Sequence, residues 1–136
     1  MKSYLGLGTN LGNRRDNLKN ALTLIADRVG EITAESSVVE SEPWGFKSDN
    51  HFLNIVIAVE TQLQPIELLQ CLQSIEREMG RTQNVKNTGY QDRIIDIDIL
   101  LYDDRNVDLP ELKIPHPLMK VRDFVLKPLN EILGLS

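Results

Sequence analysis

One cysteine, two histidines and no excess of basic charge mark this chain of 136 residues. Each shortage excludes something. A lone Cys71 rules out an intramolecular disulfide and suits a reducing compartment. It falls among the leucines of a helical pattern and reads as helix core. His116 has no second histidine nearby at ligand spacing, which argues against a zinc site. Lys and Arg total 15 against 20 Asp and Glu, a formal net charge of −5, the wrong sign for a protein that grips nucleic-acid phosphates. No run approaches the ~20 apolar residues of a membrane span. The opening Met1-Lys2-Ser3-Tyr4-Leu5-Gly6 lacks an apolar signal segment, so a cytoplasmic protein with no membrane partner is expected. There is no repeat, low-complexity tract or linker. With 41% hydrophobic and 26% charged residues, a single domain over residues 1–136 with its own core is the expectation.

Strand and helix signals alternate. Lys2 to Gly8 reads as a strand, followed by a helix from Arg14 to Val29 in which Leu18, Leu22, Ile25 and Val29 recur at helical spacing before Gly30. Ile32 to Ser41 and Phe52 to Thr61 read as two more strands. A second helix opens at Pro65, carries Leu68, Leu69, Leu72, Ile75 and Met79, and stops at Gly80. A strand ending at Tyr102 follows. Val107 to Pro117 is extended and proline-punctuated, and Asp123 to Leu133 forms a short last helix. The order β-α-β-β-α-β predicts an α+β, ferredoxin-like sandwich, with helices on one face of an antiparallel sheet and the other face free for ligands.

The most telling segment is Arg93-Ile94-Ile95-Asp96-Ile97-Asp98-Ile99-Leu100-Leu101-Tyr102. Its β-branched composition makes it a strand, and alternation puts Asp96 and Asp98 on one face, roughly 6.6 Å apart. Two carboxylates flanked on that face by Ile94 and Leu100 are costly unless a positive charge compensates them. A hard cation with oxygen ligands does so; a solvent-facing strand with two idle acids is the alternative.

Other features are individually ambiguous. Gly6-Leu7-Gly8-Thr9-Asn10-Leu11-Gly12 matches neither the dinucleotide fingerprint nor the phosphate loop, and a tight strand-to-helix turn is an equal reading. Phe52 and Asn54 share a strand face and together suit a flat heterocycle, the ring stacking and the amide pairing with its edge. A structural Asn is the alternative. His116, held between Pro115 and Pro117, is either a phosphate donor or a structural histidine. The polar stretch from Arg81 to Arg93, with Lys86 inside it, reads either as a lid over an anion or as a solvated loop. Two carboxylates for Mg²⁺, scattered cations for phosphates and an aromatic-plus-amide pocket together suggest phosphoryl-type transfer to a heterocyclic alcohol.

Six motifs in order carry a more specific resemblance: Gly6 to Gly12, Glu42-Pro43-Trp44-Gly45, Phe52-Leu53-Asn54, Ile75-Glu76-Arg77-Glu78-Met79-Gly80-Arg81, Arg93 to Asp98, and Pro115-His116-Pro117. From Tyr4 to about Ile132 the chain resembles the 6-hydroxymethyl-7,8-dihydropterin pyrophosphokinases of folate biosynthesis. The resemblance implies transfer of pyrophosphate from ATP to the pterin hydroxymethyl group with release of AMP. It implies Asp96 and Asp98 as ligands of two Mg²⁺ ions, with Arg93 beside them as a catalytic arginine that engages phosphates. It places Ser41, Glu42, Trp44, Phe52, Asn54 and Phe124 at the pterin, and Gln73, Glu76, Arg81, Tyr90, Arg93, Ile99, His116 and Arg122 at the nucleotide. ATP and 6-hydroxymethyl-7,8-dihydropterin are then the partners, and a monomer is expected. An ADP-forming kinase of another heterocyclic alcohol and a non-catalytic nucleotide or metal sensor on the same fold are the rivals.

Overall fold

The computed structural model describes residues 1–42, 50–80 and 94–134. Its sheet combines β1 (Lys2–Thr9), β2 (Gly30–Glu35), β3 (Val39–Ser41), β4 (Phe52–Thr61) and β5 (Asp96–Tyr102). The order is β2-β4-β1-β5, with β3 also paired to β4, and β1–β4, β1–β5, β2–β4 and β3–β4 are all antiparallel. Two crossovers generate this order. The helix α1 (Arg14–Arg28) links β1 to β2 with β4 inserted between them, and α2 (Pro65–Glu78) links β4 to β5 with β1 inserted. These interleaved units are the ferredoxin-like arrangement predicted from the element order.

Local chemistry sets the helix ends. Asn13 caps α1 by accepting the Asp16 amide at 3.1 Å. Pro65 occupies the first turn of α2, and the Glu67 carboxylate returns to the Gln64 amide at 2.8 Å. Leu18, Ala21 and Ile25 of α1, with Leu68, Leu72 and Ile75 of α2, close over the odd-numbered residues Leu53, Ile55, Ile57 and Val59 of β4. Cys71 packs at the margin of this core.

The opposite face is not entirely free. The helix α3 (Asp123–Leu133) lies across it, and Leu129 packs with Val56, Leu100 and Met119 in a second, smaller cluster. Ligand space on that face is therefore confined to the part α3 leaves uncovered. The strand expected over Ile32 to Ser41 is also broken. Ser36 pairs with Val56 through its amide and its hydroxyl, both at 2.9 Å, and Ser37 turns out to the Glu131 carboxylate on α3. Between β5 and α3 the chain forms a hairpin of β6 (Val107–Leu109) and β7 (Leu112–Ile114), then passes a cis Ile114–Pro115 bond. No helix among the described residues is long and apolar enough to cross a membrane.

Candidate active site

Alternation along β4 and β5 decides which side chains meet. Leu53, Ile55, Ile97 and Ile99 face the helix-side core, so Phe52, Asn54, Asp96 and Asp98 take the face that also carries α3. Across the sheet, Asn54 and Asp96 both pair with Gly8, while Val56 and Asp98 both pair with Gly6. Between the amide column on β4 and the carboxylate column on β5 the intervening strand thus bears no side chain on this face at Gly6 and Gly8. The columns stand two strand spacings apart, about 9.6 Å. The tight-turn reading of this segment holds for Gly12, at φ 69°, whereas Gly6 and Gly8 lie inside β1.

Asn54 is buried and fixed. Its Nδ2 donates to the Val39 carbonyl at 3.0 Å and to Ser41 Oγ at 2.8 Å. A carbonyl partner can only be met by the nitrogen, so the amide orientation is settled and Oδ1 is the group left to face Gly8. Ser41 therefore acts first on Asn54. Glu42 follows it and is exposed. Phe124, in the first turn of α3, lies 5.8 Å below the Arg122 guanidinium, which links an expected pterin residue to an expected nucleotide residue.

Beyond the carboxylates, Leu69, Gln73 and Glu76 of α2, Asp96, Ile97 and Asp98 of β5, and His116, Pro117, Leu118 and Arg122 line a cavity of about 420 Å³. Leu69, Gln73 and Glu76 are four and three residues apart and form one stripe of the helix. His116 is held twice: its amide donates to the Leu100 carbonyl at 3.0 Å, and its Nδ1 accepts the Leu118 amide at 3.1 Å. The neutral ring then carries its proton on Nε2, a donor. Burial pushes the His116 pKa below its ordinary value and the nearby Arg122 charge adds to this, while Asp96 opposes both. His116 is a neutral donor at pH 7.

Ile99 is only 4% exposed and sits in the helix-side core, so only its main chain is available to a ligand. Trp44, Arg81, Tyr90 and Arg93 lie outside the described residues. Leu69 and Leu118 enter the cavity without any expectation from sequence, and Pro117 enters it beside the expected His116.

The residues suit a hard cation of a particular kind. Among the described residues, no group of three or more His, Cys, Asp or Glu side chains could form a protein cage for a metal. Asp96 and Asp98 supply oxygen donors beside a cavity with room for other ligands. Mg²⁺ behaves in this way, taking one or two carboxylates and completing its shell with water and phosphate.

Fold and site together define a ferredoxin-like α+β protein with paired acids, a neutral imidazole and a guanidinium gathered around one cavity at the β5 edge. Residues 4–134 match the family model described as 7,8-dihydro-6-hydroxymethylpterin-pyrophosphokinase (HPPK), and the chain belongs to that family. It is 48% identical over 130 residues to a Porphyromonas gingivalis protein named 2-amino-4-hydroxy-6-hydroxymethyldihydropteridine pyrophosphokinase, covering 95% of this chain and 88% of that protein. A Bacillus subtilis protein of the same name is 40% identical over 131 residues, covering 96% of this chain and 77% of the relative. Among solved structures, wild-type Plasmodium falciparum HPPK-DHPS superposes with a TM-score of 0.74 at 19% identity, over 95% of this chain. This chain spans 40% of that longer protein, and the likeness concerns the fold.

Proposed function

We infer that this chain transfers pyrophosphate from ATP to the hydroxymethyl group of 6-hydroxymethyl-7,8-dihydropterin, releasing AMP, in folate biosynthesis. The observation that carries this reading is the row Asn54–Gly8–Asp96, in which an amide and a carboxylate share one face with bare main chain between them. Family membership and the named relatives at 40% and 48% identity support the same reaction. The working unit in this reading is a single cytoplasmic domain spanning the chain, acting as a monomer.

In this reading Asn54 accepts from the pterin edge through Oδ1, with Ser41 holding the amide in place and Glu42 and Trp44 bordering the pocket. Phe52 and Phe124 stack on the ring. Gln73, Arg81, Tyr90, Arg93, the Ile99 main chain, His116 and Arg122 attend the nucleotide, His116 through its Nε2 proton and Arg122 through fixed charge. Asp96 and Asp98 hold two Mg²⁺ ions, which neutralise polyphosphate charge and polarise the β-phosphorus when bound. The pterin oxygen forms a bond to the β-phosphorus, the bridge to the α-phosphorus breaks with its electrons leaving on AMP, and the hydroxyl proton passes to solvent. Alignment and charge stabilisation carry most of such a reaction, so the chain's task is to keep the two columns in register.

Incubation with MgATP and 6-hydroxymethyl-7,8-dihydropterin should release AMP in step with pterin consumption. Pterin-dependent ADP would indicate a single-phosphoryl kinase, and tight binding without turnover would indicate a sensor; either result sinks the proposal.

A further inference from the structure

Glu76 is only 6% exposed, yet it is a carboxylate on the core side of α2, adjoining the buried Leu72 and Ile75. Its Oε2 accepts the main-chain amide of Ile97 at 2.7 Å. Ile97 is the residue between Asp96 and Asp98, and its own side chain is in the helix-side core. β5 has β1 on one side and, among the described residues, is the last strand of the sheet on the other. Along β1, Gly8 and Gly6 pair with Asp96 and Asp98. An amide donating to α2 points away from β1, so Glu76 occupies the edge of the sheet at the position flanked by both acids.

Burying a carboxylate is costly, and an apolar residue would fill a core-side helix position without that cost. What the carboxylate adds is a strong, charge-assisted acceptor for an edge amide that has no strand partner there among the described residues. We propose that Glu76 is a positioning residue: by clamping the Ile97 amide it fixes the spacing and direction at which Asp96 and Asp98 present their oxygens. The nature of the ion so served rests on the reaction inferred above, whereas the clamp itself does not. A contact of Glu76 with the nucleotide is not required for this role.

The conservative variant separates a clamp from a charge. Glu76→Gln retains a side-chain carbonyl that can accept the Ile97 amide, and Glu76→Ala retains nothing. Two readouts apply: hydrogen exchange of the Ile97 amide in metal-free protein, measured against core amides of β4, and the Mg²⁺ concentration that half-saturates AMP release at fixed ATP. Glu76→Ala should speed Ile97 exchange at least tenfold and raise the Mg²⁺ requirement about 10- to 100-fold, the usual scale for losing an outer-shell support of a metal site. Glu76→Gln should hold both within about threefold of the parent. A Gln variant that keeps Ile97 protected but loses Mg²⁺ affinity as Ala does would overturn the proposal in favour of direct charge action. An Ala variant with unchanged exchange would overturn it as well. If the Ala protein fails to fold, the Gln protein alone decides by the same criterion. Failure of the parent to release AMP would instead count against the inferred reaction and leave the exchange result to judge the clamp.

Discussion

Asn54 and Asp96 stand in one row of the sheet, each the cross-strand partner of Gly8. The amide is anchored to β3 on its far side, through Val39 and Ser41, and so presents its carbonyl inward. This arrangement depends on a missing atom. A Cβ placed on Gly8 would lie 3.1 Å from Asn54 Oδ1 and 3.4 Å from Phe52 Cδ1. Neither side chain is free to retreat without cost, because Asn54 is hydrogen-bonded twice and Phe52 opens a paired strand.

Gly8→Ala should therefore damage pterin recognition selectively. The methyl group displaces Oδ1 and the Phe52 ring by a few tenths of an ångström, enough to weaken a buried hydrogen bond and a stack together. About a tenfold rise in the pterin dissociation constant is expected, equivalent to about 1.4 kcal/mol. The ATP constant should stay within about twofold, since the nucleotide cavity is lined from α2, β5 and the His116 to Arg122 segment. Titration calorimetry with each substrate alone decides the matter. Equal losses for both would mean that the substitution disturbs the sheet rather than the pocket.

Removing either negative charge on β5 tests the cation site. Asp96→Asn and Asp98→Asn preserve shape but weaken the hold on a hard cation, and loss of one electrostatic element of a phosphoryl-transfer site costs about a hundredfold or more in kcat. Folding should not suffer, because each change also relieves repulsion between neighbouring like charges. Initial rates of AMP release and the thermal midpoint of the metal-free protein should thus move independently. AMP release near the parent rate in either variant would remove that residue from the mechanism.

Much of this is legible in the sequence, for reasons that differ by element. Helical spacing of Leu68, Leu72 and Ile75 and the stops at Gly30 and Gly80 are local signals, and α1 and α2 end within two residues of those expected. β4 and α3 match their expected ranges end for end. The same-face placement of Asp96 with Asp98, and of Phe52 with Asn54, follows from period-two alternation alone. Other features depend on contacts remote in sequence. The break at Ser36–Val38 requires Val56 and Glu131 as partners, 20 and 94 residues away from Ser36 and Ser37. Gly6 and Gly8 resemble turn glycines until the register shows what faces them across the sheet. Composition cannot reveal that a carboxylate, Glu76, accepts a strand amide 21 residues away.

Gly30 offers a test of the scaffold apart from the site. It follows the cap of α1 and begins β2 at φ 157°, where an added Cβ would fall 1.8 Å from the Glu60 carbonyl oxygen. No rotamer relieves a clash with main chain. Gly30→Ala must push β2 away from β4, and a loss of about 3 kcal/mol or more is expected. Urea unfolding followed by circular dichroism would report it, and a midpoint within error of the parent would show that this corner of the sheet yields easily.

The histidine predicts a pH dependence whose sign is fixed by its surroundings. In the unfolded chain His116 titrates near its ordinary value of about 6.5. In the folded protein burial and Arg122 depress the pKa, with Asp96 only partly offsetting them. Between the two values the unfolded chain holds more protons, so the unfolding free energy rises with pH across that window. The contribution is complete above about 6.5 and is lost as pH falls through the folded value. His116→Asn retains an acceptor, Oδ1, for the Leu118 amide but cannot titrate. Metal-free parent protein should lose stability more steeply than His116→Asn as pH is lowered from about 7 to 5, measured as urea midpoints at constant ionic strength. Parallel profiles would place the acid sensitivity elsewhere, and a steeper loss in the variant would contradict the burial of a neutral imidazole beside Arg122.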